Sequence, residues 1–410
     1  MTIPERGKAL ARTLVKEGLL TKFQAALLLI GRNSGFILGQ YRILDQLGQG
    51  GMGRVFKAQH VTMGRTVALK VLAPRHTKTE KARKLFMREV RAVAKMTHQN
   101  IVTAHDANDV DGRHYLVMEY IDGPNLDQLV RDGGPLPVGL ACDIICQAAT
   151  GLQYAHEQGM VHRDIKPSNL LLHSAGTTLS SGYIVKILDF GLAKFHHTVE
   201  PADPALHSPK NVIFGTPDFL SPEQARNLPG LDIRSDLYSL GCTFYFLMTG
   251  QAPFPGGSTL EKLVRHTNAE PVAIEQLRPD IPQEVADIIR CMMAKEPAHR
   301  FQTPAQLVQE LMPLAAPLPN AWAAVKSKPV VNDDDSNPTT DEAAAVVEDK
   351  QSALTAVLPE DTVSLSEIDL LPLPPVQRRG KKHWFILVFG ILAGGLIGAA
   401  LTAWLLLLWL

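Results

Sequence analysis

Residues 48–53, Gly-Gln-Gly-Gly-Met-Gly, fit the pattern G-x-G-x-x-G. Glycines at a bend let backbone N–H groups approach phosphate oxygens without a Cβ in the way. The string alone is ambiguous, because dinucleotide-binding proteins carry it where a strand turns into a helix. Here Arg54-Val55-Phe56-Lys57-Ala58 follows, which is strand-like and suits a hairpin. An ordinary glycine-rich hairpin is the competing reading, so the residues further along decide. Lys70 ends the strand-like run Val67-Ala68-Leu69-Lys70, and Glu89 lies 19 residues later in a charged helical stretch. Then come His162-Arg163-Asp164-Ile165-Lys166-Pro167-Ser168-Asn169, Asp189-Phe190-Gly191 and Ser221-Pro222-Glu223.

These motifs, in this order, resemble the protein kinase superfamily over residues 41–311, and more narrowly the bacterial eukaryotic-like serine/threonine kinases that carry a transmembrane helix. The resemblance implies an α+β, two-lobed protein kinase fold with a β-rich small lobe and a helical large lobe. It implies ATP as phosphate donor, Mg²⁺ as cofactor with Mn²⁺ as a substitute, and protein serine or threonine hydroxyls as acceptors. Lys70 would hold the α- and β-phosphates, and Glu89 would fix Lys70 through an ion pair formed only when its helix swings inward. Asp164 would accept the substrate hydroxyl proton, and Lys166 would stabilise the γ-phosphate as charge develops. Asp189 and Asn169 would be the metal ligands, an oxygen donor set that suits Mg²⁺. The string Asp-Ile-Lys-Pro-Ser-Asn, and Thr216 in Gly215-Thr216-Pro217, resemble serine/threonine rather than tyrosine kinases.

The remaining ATP-site positions also follow from the resemblance. Gly48, Gln49, Gly50, Gly51, Met52, Gly53 and Arg54 would form the phosphate-covering hairpin. Leu47, Val55, Ala68 and Leu171 would sandwich the adenine, Met118 would be the gatekeeper, and backbone groups of Glu119 and Ile121 would supply hinge hydrogen bonds. In the activation segment Arg163 would pair with a phosphorylated residue, for which Thr198 and Ser208 are the candidates. Arg300 would pair with Glu223 in a buried contact. Ser221 departs from the family's usual Ala, and the stretch 173–183 is longer than common. A scaffold that has lost catalysis is the alternative from another class. It is set against the presence of Lys70, Glu89, Asp164, Asn169 and Asp189 together.

Elements must position these residues. Period-two runs around Tyr41, Ile43, Leu47, Val55, Phe56, 67–72 and 116–118 predict strands. Helices are predicted over 78–96, 141–156 and 237–248. Residues 1–38 read as a helical extension: Leu10 and Leu14 suggest one helix broken at Gly18. Thr21 through Gln24 has capping-box spacing for a second, and Gly31 would end it. Packing on the next domain is the favoured role, docking of a partner the other. Cys142 and Cys146 lie one helical turn apart, with no further Cys or His clustered near them, and read as core residues.

Charge and composition organise the rest. The chain has 410 residues with 41 bases and 41 acids, which argues against a broad basic field for nucleic acid. Four cysteines exclude a disulfide scaffold. Residues 313–381 read as a disordered acidic, Pro-rich juxtamembrane linker, reaching roughly 45 Å as a flexible coil. Residues 331–371 hold eleven acids and one base, Lys350. Arg378, Arg379, Lys381 and Lys382 follow, then 27 residues without charge, 384–410. A helix of that length is roughly 40 Å long against a bilayer core of about 30 Å, which predicts one transmembrane helix. The four bases before it would keep the kinase domain cytoplasmic, giving a single-pass membrane protein anchored near its C-terminus. No early apolar run has the length of a secretory signal. Gly390, Gly394 and Gly398, spaced by four, are candidates for a homodimer contact within the lipid bilayer.

Overall fold

The computed structural model describes residues 5–32, 34–174, 182–190 and 217–316. The expectations for Thr198, Ser208, Thr216, residues 317–381 of the juxtamembrane linker, the transmembrane helix and Gly390, Gly394 and Gly398 lie outside these residues. The first linker residues, 313–316, are ordered: Leu314 and Ala315 pack on the core, and Ala316 N–H donates to the Gly139 carbonyl at 3.1 Å. No helix among the described residues is long and apolar enough to cross a membrane.

The chain opens with α1 (Glu5–Lys16) and α2 (Lys22–Leu29). A six-stranded antiparallel sheet follows: β1 (Ile37–Leu38), β2 (Tyr41–Gly50), β3 (Gly53–His60), β4 (Thr66–Leu72), β5 (Ala104–Val110) and β6 (Arg113–Glu119), in spatial order β1-β2-β3-β4-β6-β5. The amphipathic helix α3 (Glu80–Val93) lies between β4 and β5 and buries Phe86, Glu89, Val90 and Val93. Thr79 caps it, accepting a hydrogen bond from the N–H of Ala82 at 3.1 Å.

The second lobe is helical. It contains α4 (Leu126–Gly133), α5 (Val138–Glu157), a two-stranded ribbon of β7 (Leu170–Ser174) and β8 (Tyr183–Ile187), and α6 (Pro222–Ala225). It continues with α7 (Ile233–Thr249), α8 (Thr259–Asn268), α9 (Ile274–Leu277), α10 (Gln283–Met292) and α11 (Pro304–Leu311). In α5, Ala141, Ile144, Ile145, Ala148, Ala149, Leu152 and Ala155 recur at spacings of three and four, and all are fully buried. Gly151 sits where α5 passes β8. A Cβ there would fall 2.9 Å from Ile187 Cδ1 and 3.2 Å from the Asn100 carbonyl, so glycine permits the close approach. Helix α7 is buried nearly all round, its polar Ser235, Asp236, Ser239 and Thr243 included, and lies inside this lobe. Burial raises the thiol of Cys142 to about 11 and that of Cys146 to about 12, as befits packing cysteines.

Among the elements that were not foreseen are β1, β5 and both strands of the β7–β8 ribbon. Strand β5 has the sequence Ala-His-Asp-Ala-Asn-Asp-Val, and β1 has only two residues.

Candidate active site

The glycine-rich string is the turn of the β2–β3 hairpin, with Gly48 opposite Val55, Gln49 opposite Arg54 and Gly50 opposite Gly53. Gly53 has φ +149°, and a Cβ there would sit 2.0 Å from the Val71 carbonyl oxygen on β4. Gly48 and Gly50 have open space where a Cβ would be. The tip is tied to the chain after β4. The Met52 carbonyl accepts from Ala73 N–H at 2.8 Å. The Gly51 carbonyl accepts from the Arg75 guanidinium and lies 2.9 Å from Nε2 of buried His76. Nothing in the sequence pattern singled out Arg75 or His76.

Behind the hairpin, Ala68, Met118 and Ile121 belong to one apolar cluster, with Met52, Val55 and Leu171 packed against it. Ala68 and Met118 are cross-strand partners on β4 and β6. Leu47 is about half exposed. The Glu119 N–H already donates to the Thr103 carbonyl at 2.9 Å, which leaves only the carbonyl for the expected hinge contact. Its carboxylate holds Lys186 Nζ at 2.7 Å, linking the end of β6 to β8. Lys186 was not anticipated, although a lysine in the apolar run 184–187 signals a buried partner.

Lys70 is buried on β4, and its Nζ lies 2.7 Å from Asp189 Oδ2. Among the described residues Lys70 thus pairs with Asp189; the Lys70–Glu89 pair was expected only with the helix of Glu89 swung inward. Asp189 has φ +63°, a left-handed backbone in which its carboxylate meets the lysine. Glu89 is buried on α3. Burial works to raise the Asp189 carboxyl pKa, but Lys70 outweighs it through charge and hydrogen bond, with His162 and Lys166 adding to it. The net result lies below the ordinary carboxylate value.

Asp164, Lys166 and Asn169 form a second charged group. Lys166 Nζ lies 3.0 and 2.9 Å from the two Asp164 oxygens. Asn169 Nδ2 donates to the Asp164 carbonyl at 2.8 Å and to Oδ2 at 3.0 Å. The loop carrying them is held from behind. Buried Asp236, on α7, accepts the N–H groups of His162 at 2.6 Å and Arg163 at 2.7 Å. His162 Nε2 lies 2.6 Å from the Leu188 carbonyl, and Phe190 packs edge-on against its ring at 4.6 Å. Gln224 Nε2 donates to the Arg163 carbonyl at 2.7 Å. Arg163 itself has φ +70°, and its buried Nε has no hydrogen-bond partner among the described residues.

The two groups meet through β7 and β8. Leu170 pairs with Ile187, and Leu188 N–H donates to the Asn169 carbonyl at 2.9 Å, which sets Asn169 beside the residue preceding Asp189. A hard cation fits the pair. Asp189 supplies a carboxylate held anionic, and Asn169 spends its amide nitrogen on Asp164, so its amide oxygen is the donor left. Lower in this lobe, Arg300 donates to Glu223 at 2.7 and 2.9 Å with the guanidinium fully enclosed, as expected.

Known proteins agree with this arrangement. Residues 41–312 match the family model for the protein kinase domain. The chain is 35% identical over 277 residues to the serine/threonine-protein kinase PrkC of Bacillus subtilis, covering 67% of this chain and 40% of that protein. It is 33% identical over 277 residues to the serine/threonine-protein kinase PknB of Mycobacterium leprae, covering 67% and 42%. The chain thus spans about two-fifths of the length of these curated relatives. The crystal structure of the Mycobacterium tuberculosis PknI kinase domain superposes with a TM-score of 0.53 at 27% identity, covering 69% of this chain and 99% of that one. With its two lobes, its glycine hairpin and its two lysine-bound aspartates, this chain belongs to the protein kinase family.

Proposed function

We propose that this protein is a membrane-anchored serine/threonine protein kinase that transfers the γ-phosphate of ATP to protein hydroxyls, its own among them. The observation that carries the reading is the convergence of Lys70–Asp189 with Asp164–Lys166–Asn169 through the β7–β8 ribbon. Backbone N–H groups of residues 48–53 approach the phosphates, and the apolar cluster around Ala68, Met118 and Leu171 takes the adenine. Lys70 leaves its contact with Asp189 for the α- and β-phosphates as Glu89 comes in to hold it.

The Asp164 carboxylate accepts the proton of an acceptor hydroxyl as its oxygen bonds to the γ-phosphorus. The bond from that phosphorus to the bridging oxygen breaks, and ADP departs with the electron pair. Lys166, already bonded to both Asp164 oxygens, stays beside the transferring phosphoryl group and offsets its charge. Asp189 and Asn169 would hold Mg²⁺, which supplies charge neutralisation at the phosphates when bound. Asp236 keeps the loop in register by fixing two consecutive N–H groups.

Activation by phosphate at Thr198 or Ser208 is supported by Arg163, whose buried Nε lacks a partner among the described residues. Anchoring is supported by the 27 uncharged residues at 384–410 and the four bases before them, with the catalytic domain on the cytoplasmic side. Glycines 390, 394 and 398 would let two copies approach, raising the effective concentration for mutual phosphorylation.

The test is phosphoamino-acid analysis of the chain and a generic basic protein after incubation with MgATP. Phosphoserine and phosphothreonine are expected, and both should vanish in Lys70→Met. Phosphotyrosine alone, or equal labelling by Lys70→Met, would refute the reading.

A further inference from the structure

Residues 5–31 lie outside the part of the chain that matches the kinase family model, 41–312. Their second helix nevertheless makes specific contacts with the strand that leads into the glycine hairpin. The first edge strand, β1, pairs with Tyr41 and Arg42 of β2, and the Phe36 carbonyl before it accepts Ile43 N–H at 2.8 Å. Just beyond, β2 is irregular. Ile43 faces Ala58 and Asp45 faces Lys57, so Leu44 is an extra residue, and a second irregularity at Leu47 precedes Gly48. A bulge leaves carbonyls unpaired and sets the local twist of the ribbon.

Two side chains of the α2 cap meet those carbonyls. Thr21 Oγ1 donates to the Leu44 carbonyl at 2.6 Å, and buried Gln24 Nε2 donates to the Ile43 carbonyl at 2.6 Å. The same side chains form the capping box: Thr21 Oγ1 accepts Gln24 N–H at 3.1 Å, and Gln24 Oε1 accepts Thr21 N–H at 3.0 Å. Donor and acceptor capacity is divided between capping the helix and clamping the bulge. Between them Phe23 packs on Phe56 of β3, with ring centroids 6.5 Å apart.

We infer that α2 is a positioning element for the nucleotide, with Thr21 and Gln24 as positioning residues that pin the Leu44 bulge and thereby aim residues 48–53. The inference rests on the reading that this hairpin binds ATP phosphates. By linkage, if the clamp favours nucleotide binding, nucleotide must tighten the clamp by the same factor.

Two substitutions separate clamp from cap. Gln24→Glu keeps the oxygen that caps the helix and replaces the donor facing Ile43 with an acceptor. Thr21→Asp keeps the cap acceptor and loses the hydroxyl proton facing Leu44. Each should raise the KM for ATP about fivefold, the effect of losing one buried hydrogen bond. The kcat at saturating ATP and the KM for the acceptor peptide should stay within about twofold. Thr21→Ser, which keeps both functions, should restore the KM. An unchanged KM for ATP in both clamp variants overturns the inference. So does a parallel loss in kcat and both KM values, which would mean general destabilisation.

Hydrogen exchange on the unmodified full chain decides the matter even if the variants fail to fold. A non-hydrolysable ATP analogue with Mg²⁺ should slow exchange over 21–31 together with 43–53. Protection of 43–53 without 21–31 would remove the clamp alone. Absence of protection at 48–53 would remove the nucleotide reading itself, and the clamp with it.

Discussion

Three glycines of one hairpin are expected to fail for two different reasons when replaced by alanine. At Gly53 the obstacle is the fold. The added Cβ would lie 2.0 Å from the Val71 carbonyl oxygen and 3.0 Å from Leu72 Cα, and the backbone stands at φ +149°. To reach even 3.0 Å, β3 must move 1.0 Å from β4 at the point where Gly53 pairs with Leu72. Backbone strain of about 1–3 kcal/mol, with about 1 kcal/mol for a lost ladder bond, gives about 2–4 kcal/mol. For a domain of this size that lowers Tm by about 4–7 °C. At Gly48 and Gly50 no atom lies within 4 Å of the added Cβ, so Tm should hold or rise slightly. The cost there falls on bound phosphate: losing one charge-assisted contact raises the KM for ATP about tenfold or more. Differential scanning fluorimetry and ATP-dependent kinetics on the three variants separate the cases. An unchanged Tm in Gly53→Ala, or an equal Tm loss in Gly50→Ala, would refute the steric argument.

Other outcomes follow from the buried charges. Glu223→Ala strands the fully enclosed Arg300 guanidinium and should cost about 3–5 kcal/mol in urea unfolding, with much of it recovered in Glu223→Ala/Arg300→Met. If the double variant is no more stable than the single, the charge argument fails. His266 is fully buried, and burial, aided by nearby Lys295, lowers its pKa to about 4. A folded value below the unfolded one means that the unfolded chain binds the extra proton. Stability is then full above about pH 6.5 and declines as pH falls toward 4, by about 2 kcal/mol at pH 5. His266→Gln should flatten that decline in unfolding curves at pH 7.5 and 5, and an unaltered slope would exclude His266 as its source.

The legible parts of the molecule are those where local chemistry and tertiary role agree. Residues 21–24 announce a helix start because the capping box is a local device, and it forms as expected. The spacing in α5 is equally direct, since one face of that helix is the core. Strand β5 was missed because Asp106, Asn108 and Asp109 are poor strand formers. They are tolerated because β5 is an edge strand held by β6. Among site residues, Lys70, Asp164, Lys166, Asn169 and Asp189 are recognisable because they sit inside motifs. The contact between Lys70 and Asp189, with Asp189 at φ +63°, joins residues far apart in the chain and is not encoded in either motif. The second role of Thr21 and Gln24, and the grip of Arg75 and His76 on Gly51, join residues about twenty to twenty-five positions apart. Such pairings become visible only once the strands have set their register.

The central claim is that Asp164 serves as the proton acceptor beside a nucleotide held by Lys70 and Asp189. Single-turnover phosphotransfer with MgATP, run beside a nucleotide-binding titration on wild type and Asp164→Asn, tests it most directly. The account expects the rate to fall by about 10²–10⁴ while ATP affinity stays within a few-fold. Equal rates in the two proteins would contradict it.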